Sequence, residues 1–158
     1  MIVQLGLAAA GALGVFVWDV AKRYGATSKG ENPWTIEAFM NACRLAVHIE
    51  KAVWMVDGSI NGMYRSAQVN EITEGASKTS LHMHGRAVDI KPGKGFTPES
   101  GARFLFAKAQ AGELGAVRTI IWEPSWIHID WHETGTTPTT ETAKFIKAVG
   151  DGKYAAVV

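Results

Sequence analysis

Residues Trp126-Ile-His-Ile-Asp-Trp-His132 alternate strictly along the chain. A strand there puts Trp126, His128, Asp130 and His132 on one face and Ile127, Ile129 and Trp131 on the other, one face for chemistry and one for a core. Arg86 to Ile90 reads as a second short strand, with Ala87 and Asp89 on a shared face and Val88 pointing away. Elsewhere the period is helical. Thr35 can cap a helix whose apolar positions Ile36, Phe39, Met40, Cys43 and Val47 form a stripe, and Asp57-Gly58 closes that region. Thr97-Pro98-Glu99 opens a second helix running to about Leu114, and Arg118 to Trp122 reads as a strand that turns at Pro124-Ser125. After Gly135 a Thr-rich stretch leads to a short helix, Thr139 to Val149, ended by Gly150 and Gly152. There are no internal repeats. Helices interleaved with short strands predict an α+β fold, a small antiparallel sheet packed against helices.

Composition narrows this picture. A chain of 158 residues that is 47% hydrophobic and 20% charged is long enough for one domain with a genuine core. A net charge of +1, with no Lys/Arg cluster, phosphate loop or dinucleotide fingerprint, gives no reason to expect nucleic acid. The single Cys43 cannot form an intramolecular disulfide and is expected to be packed.

The candidate chemistry lies in Ser80 to Asp89, where imidazole and carboxylate stand at a spacing that can close on one metal ion. Hydrolytic zinc commonly takes three His or Asp/Glu ligands and keeps a fourth position for water. His82, Asp89 and His128 can be those three. Gly85 permits a backbone conformation or close approach that lets His82 fold back, and the small Ala87 beside Asp89 leaves room for an ion. Alone, His82 would more often be a surface or core histidine and Asp89 a turn or cap residue; their joint occurrence with Ser80, Gly85, Ala87 and a later W-x-H shifts the balance. His84 and His132 are expected to be non-ligands, and His48 to be structural. No Gly-x-Ser-x-Gly elbow surrounds Ser80, so a hydrogen bond supporting the site suits it better than a nucleophilic role. The H-E-x-x-H helix of the commoner metalloproteases is not in the sequence.

These residues resemble the zinc-dependent D-alanyl-D-alanine carboxypeptidases and L-alanyl-D-glutamate endopeptidases that cut peptidoglycan stem peptides. The family pattern S-x-H-x-x-G-x-A-x-D is matched at every fixed position by Ser80, His82, Gly85, Ala87 and Asp89. Tyr64-Arg65-Ser66, Asn70 and Gly75 resemble its Y-R-S segment, and Trp126-x-His128 its last ligand strand, so that the likeness covers about residues 34 to 132. The resemblance implies the Hedgehog/DD-peptidase type of fold and a Zn2+ cofactor held by His82, Asp89 and His128. It further implies Glu123 as general base and Arg65 as the residue that holds a substrate carboxylate or the polarised carbonyl. Many relatives place that Glu three residues before the last ligand, where this chain has Ser125, while others use a longer spacing like the one from Glu123 to His128. Asp130 is the reserve base, although orienting a ligand is more natural for it. The expected enzyme is a lytic peptidoglycan peptidase, phage or bacterial, with a stem peptide as partner. The alternative from another class is a non-catalytic wall-binding or virion structural protein that retains the fold.

The N-terminus complicates localisation. Ile2 to Trp18 carry no charge and as a helix would span about 26 Å, a little short of a hydrocarbon core. Seven of those residues are Gly or Ala, no basic region precedes them, and Lys22 and Arg23 follow. That charge bias favours a cytoplasmic C-terminal side, against ordinary export of a wall-cutting enzyme. A weak anchor of the signal-arrest-release kind, a segment docking to a membrane or virus particle, and a helix of an ordinary soluble protein all fit; membrane association through residues 2–18 is the expectation. The chain accordingly divides into a hydrophobic N-terminal helix over residues 1–24, a linker over 25–33 and a peptidase domain over 34–158 ending in a helix.

Overall fold

A computed structural model describes residues 26–27, 30–133, 142–150 and 153–157. The N-terminal segment 2–18 lies outside the described residues. Among those described, no helix is long and apolar enough to cross a membrane.

The described residues begin with a two-stranded ribbon, β1 (Ala26–Thr27) and β2 (Gly30–Glu31), and enter helix α1 (Ile36–Met55). The Thr35 hydroxyl accepts the Ala38 amide at 3.1 Å, satisfying one donor that the first turn leaves open. The buried face of α1 is not the expected stripe. Ile36 is 86% exposed and Met40 and Val47 are about half exposed, while Phe39 and Cys43 are half-buried against the core. The face turned inward carries Ala38, Ala42, Leu45, Ala46, Ile49 and Ala52. Counting large apolar residues selected the wrong side, because the four alanines are what let the helix backbone approach its neighbours closely. Gly85 completes that approach, since a Cβ there would collide with the Ala38 carbonyl.

Strand β3 (Ser59–Gly62), helix α2 (Ala67–Glu71), a 3-10 turn (Leu81–His84) and β4 (Ala87–Lys91) follow. Helix α3 (Pro98–Gln110) starts at a reciprocal cap in which Thr97 Oγ1 accepts from the Ser100 amide and Ser100 Oγ accepts from the Thr97 amide. It ends four residues before the expected Leu114, just short of Gly112, which takes a positive φ. Then come β5 (Val117–Trp122), β6 (Ile127–Trp131), β7 (Lys144–Gly150) and β8 (Lys153–Ala156).

The expected helix over Thr139 to Val149 is contradicted from residue 144 onward, where the chain is strand β7. Tertiary pairing overrides local preference here. Strand β7 adds in parallel to the edge of β5, Phe145 stacks on Phe106 with ring centroids 5.0 Å apart, and β8 folds back against β7 with Gly150 opposite Lys153.

Strands β3-β4-β6-β5-β7-β8 make one six-stranded sheet, antiparallel except for the β5/β7 pair. Its inner face supplies Val88 and Ile90 from β4, Ile120 from β5 and Ile127, Ile129 and Trp131 from β6 to a single core with the buried face of α1 and Leu105 of α3. The alternation expected for β4 and β6 holds. What remains on the opposite face is the chemistry, and register aligns it, because Asp89 of β4 stands directly opposite His128 of β6.

Candidate metal centre

Three short segments deliver the ligating groups. Asp89 and His128 are cross-strand neighbours and so lie side by side. Gly62, opposite Asp89 on the other side of β4, leaves the carboxylate uncrowded, since a Cβ there would lie 3.2 Å from Asp89 Oδ2. His82 comes from the 3-10 turn, which Gly85 ends at φ 63°, in the left-handed region that favours glycine.

The donor atoms converge. His82 Nε2 is 3.2 Å from His128 Nδ1, His128 Nδ1 is 2.9 Å from Asp89 Oδ1, and His82 Nε2 is 3.3 Å from the same oxygen. The far side of each ring is also engaged: His82 Nδ1 lies 2.5 Å from the Met63 carbonyl, and His128 Nε2 lies 3.4 Å from Asp130 Oδ2. A neutral ring that donates outward to those oxygens turns its bare nitrogen inward. Two imidazole lone pairs and a carboxylate then face one another with no hydrogen between them. Such a set calls for a cation. A tetrahedral ion with ligand bonds of about 2.0 Å holds its ligands about 3.3 Å apart, close to the separations seen here. Among the described residues, this trio is the one group of His, Cys, Asp or Glu side chains gathered closely enough to hold a metal.

Electrostatics reflect the same crowding. Burial alone would raise the Asp89 carboxyl, but the two imidazoles hold it well below the usual carboxylate range. His82, almost fully buried, is lowered chiefly by desolvation despite Asp89 beside it. His128 goes the other way. Burial lowers it, yet Asp130 and Asp89 outweigh that and push it up to about 9.

The surrounding pocket has a volume of about 390 Å³ and includes Arg65, Ser80, Glu123, Trp126, Asp130 and Tyr154. Arg65 is placed by its neighbours. Tyr64 stacks on Trp34 at 4.4 Å, its carbonyl accepts from Asn32 and its hydroxyl donates to the Pro33 carbonyl, while Ser66 caps α2. With both flanks fixed, the Arg65 guanidinium donates to the buried Ser80 hydroxyl at 3.2 Å. Glu123 lies just past β5 in the turn to β6, where its amide donates to the Trp126 carbonyl. Burial raises its carboxyl, with His128 and a hydrogen bond from Tyr154 working against the rise. Asp130 points one oxygen at His128 and leaves buried Oδ1 without a partner.

His84 instead faces exposed Glu37 at 3.6 Å, and His48 Nδ1 is buried on α1 without a hydrogen-bond partner. Tyr154 escaped the sequence reading. The sequence holds a signal for it, because an Asp-Gly dipeptide between two short runs is a hairpin cue, whereas Gly150 and Gly152 are expected above to end a helix.

Two imidazoles and a carboxylate on an α+β sheet, with a second carboxylate and a guanidinium in the same pocket, define a centre of the metallohydrolase class. The particular family follows from the sequence: the model of the peptidase M15 family matches residues 21–130, and the chain belongs to that family of metallopeptidases. No curated protein and no solved structure matches the chain significantly.

Proposed function

We propose that the protein is a zinc-dependent peptidase of peptidoglycan stem peptides, cutting a bond that involves a D-amino acid. The observation that carries this reading is the convergence of His82 Nε2, His128 Nδ1 and Asp89 Oδ1 within 3.3 Å of one another, in one pocket with Glu123 and Arg65. Zinc, when bound, supplies a Lewis acid that polarises the scissile carbonyl and lowers the pKa of water toward neutrality. Glu123 takes the proton of the attacking water and returns it to the leaving amine, a role suited to a carboxyl raised by burial. Arg65 offers a planar fork to a substrate carboxylate or to the carbonyl oxygen, and Ser80 holds it there. Asp130 orients His128 through Nε2, which leaves Glu123 as base.

In this reading the enzyme works at the cell wall as a lytic protein of phage or bacterial origin. The uncharged residues 2–18 attach it to a membrane or a virus particle. Incubating purified peptidoglycan with the zinc-loaded protein, with and without chelator, and identifying fragments by mass spectrometry tests the activity. Chelator-sensitive release of peptides is the expected result, and the fragment masses name the bond. No release from protein carrying one zinc per chain overturns the enzymatic reading in favour of a wall-binding or structural protein.

A further inference from the structure

The family match ends at residue 130, yet the pocket does not. Strands β7 and β8 come later in the chain and add Ile146 and Tyr154 to its wall. The β7/β8 pair is joined to the catalytic face through the parallel β5/β7 ladder, in which Ile121 and Trp122 stand opposite Ile146 and Lys147. Ile121 is itself opposite His128, so the hairpin is one strand removed from the ligand strand. Tyr154 sits on the edge strand beyond, opposite Ala148, and its hydroxyl donates to Glu123 Oε1 at 3.4 Å.

That contact is the only side-chain hydrogen bond to the Glu123 carboxylate among the described residues. Glutamate has three rotatable bonds, and here the backbone alone is pinned, by the Glu123 amide to the Trp126 carbonyl at 3.1 Å. A carboxylate so placed has many orientations, of which few can serve a water held over the ligand trio. The phenol restricts them. At 3.4 Å the bond is longer than the usual O–H···O distance, and catalytic hydrogen bonds in ligand-free enzymes are often long and tighten when substrate binds. Tyr154 is 48% exposed, at the rim rather than in the core, so its side chain is not needed to hold the sheet together. Partial burial and then the neighbouring Glu123 carboxylate push the phenol up from its ordinary value, so that it stays protonated, and therefore a donor, at neutral pH.

We propose that Tyr154, carried to the pocket by the C-terminal hairpin, is a positioning residue that orients the Glu123 carboxylate for proton transfer. It rests on the assignment of Glu123 as base in the reading above. It does not touch the substrate's reacting atoms, and acts through Glu123.

The test is a double-mutant cycle on the full-length, zinc-loaded protein. Tyr154→Phe, Glu123→Gln and the double variant are assayed on a synthetic stem pentapeptide that contains both the L-Ala-D-Glu and the D-Ala-D-Ala bonds. Zinc content and thermal unfolding are measured alongside. Tyr154→Phe is expected to lower kcat about tenfold, the scale of one hydrogen bond to a charged group, with KM, zinc content and unfolding temperature close to those of the parent. In the Glu123→Gln background the same change should have no further effect, because its target is gone. A parental kcat in Tyr154→Phe overturns the proposal, as does an equal loss in both backgrounds, which would mean that the phenol works independently of Glu123. Full activity of Glu123→Gln itself would remove the base assignment, and a zinc-loaded parent that cuts neither bond would remove the peptidase reading; the positioning role falls with either.

Discussion

At the scale of single residues, the site is built from groups whose outward bonds decide what they present inward. His82 leans on the Met63 carbonyl and His128 on Asp130, and in its neutral form each is thereby left with a bare nitrogen facing Asp89. Asp130→Asn keeps the shape and weakens the acceptor. It should reduce zinc affinity roughly 10–100-fold, read by competition with a chelating dye, without unfolding the protein. Unchanged affinity would mean that Asp130 does not orient the ligand. Glu123 gives a second handle. Burial raises its carboxyl, and a general base must be ionised, so activity should fall as pH drops through that raised value. The acid limb of kcat/KM is therefore expected above the ordinary glutamate pKa of about 4.3. A limb at or below that figure would contradict Glu123 as base. These residues were largely readable beforehand, because ligand type, spacing and the need for Gly85 are local properties. The Met63 carbonyl was not, since any residue can supply one.

At the scale of elements, what was legible followed the strength of the pattern. Strict alternation fixed β6 and its two faces, and Ile127, Ile129 and Trp131 are fully buried. Capping residues fixed the starts of α1 and α3 at Thr35 and Thr97. Helix faces are harder. On α1 the large apolar residues and the alanines lie on different sides, and close packing chose the alanine side. Leu45→Ala should therefore cost about 2–5 kcal/mol, whereas Val47→Ala, one residue of the exposed stripe, should stay within about 0.5 kcal/mol. Urea unfolding of both variants measures this, and equal costs would contradict the assignment of faces. Strand β7 was missed for the opposite reason. Its pairing with β5 is settled by residues far away in sequence, and Gly150 with Gly152 ends a helix as plausibly as it brackets a hairpin.

At the scale of the whole molecule, one sheet divides the labour. Its inner face packs against α1 and α3, and its outer face collects ligands from a turn and two adjacent strands separated by as many as 46 positions. A metal that bridges His82 to the sheet ties that turn to β4 and β6. Ligand that binds only the folded state stabilises it by mass action, about 2.7 kcal/mol at a hundred times Kd. Zinc is thus expected to raise the unfolding temperature in a concentration-dependent way and a chelator to lower it. An unfolding temperature indifferent to zinc would argue against a preformed site. The central claim, that His82, Asp89 and His128 bind the metal while Glu123 uses it, is tested most directly by measuring zinc content and peptide release together on the parent, Asp89→Ala and Glu123→Gln. The account predicts one zinc and activity in the parent, neither in Asp89→Ala, and zinc with turnover reduced by about 10²–10⁴-fold in Glu123→Gln. An Asp89→Ala protein that keeps both its zinc and its activity would contradict it.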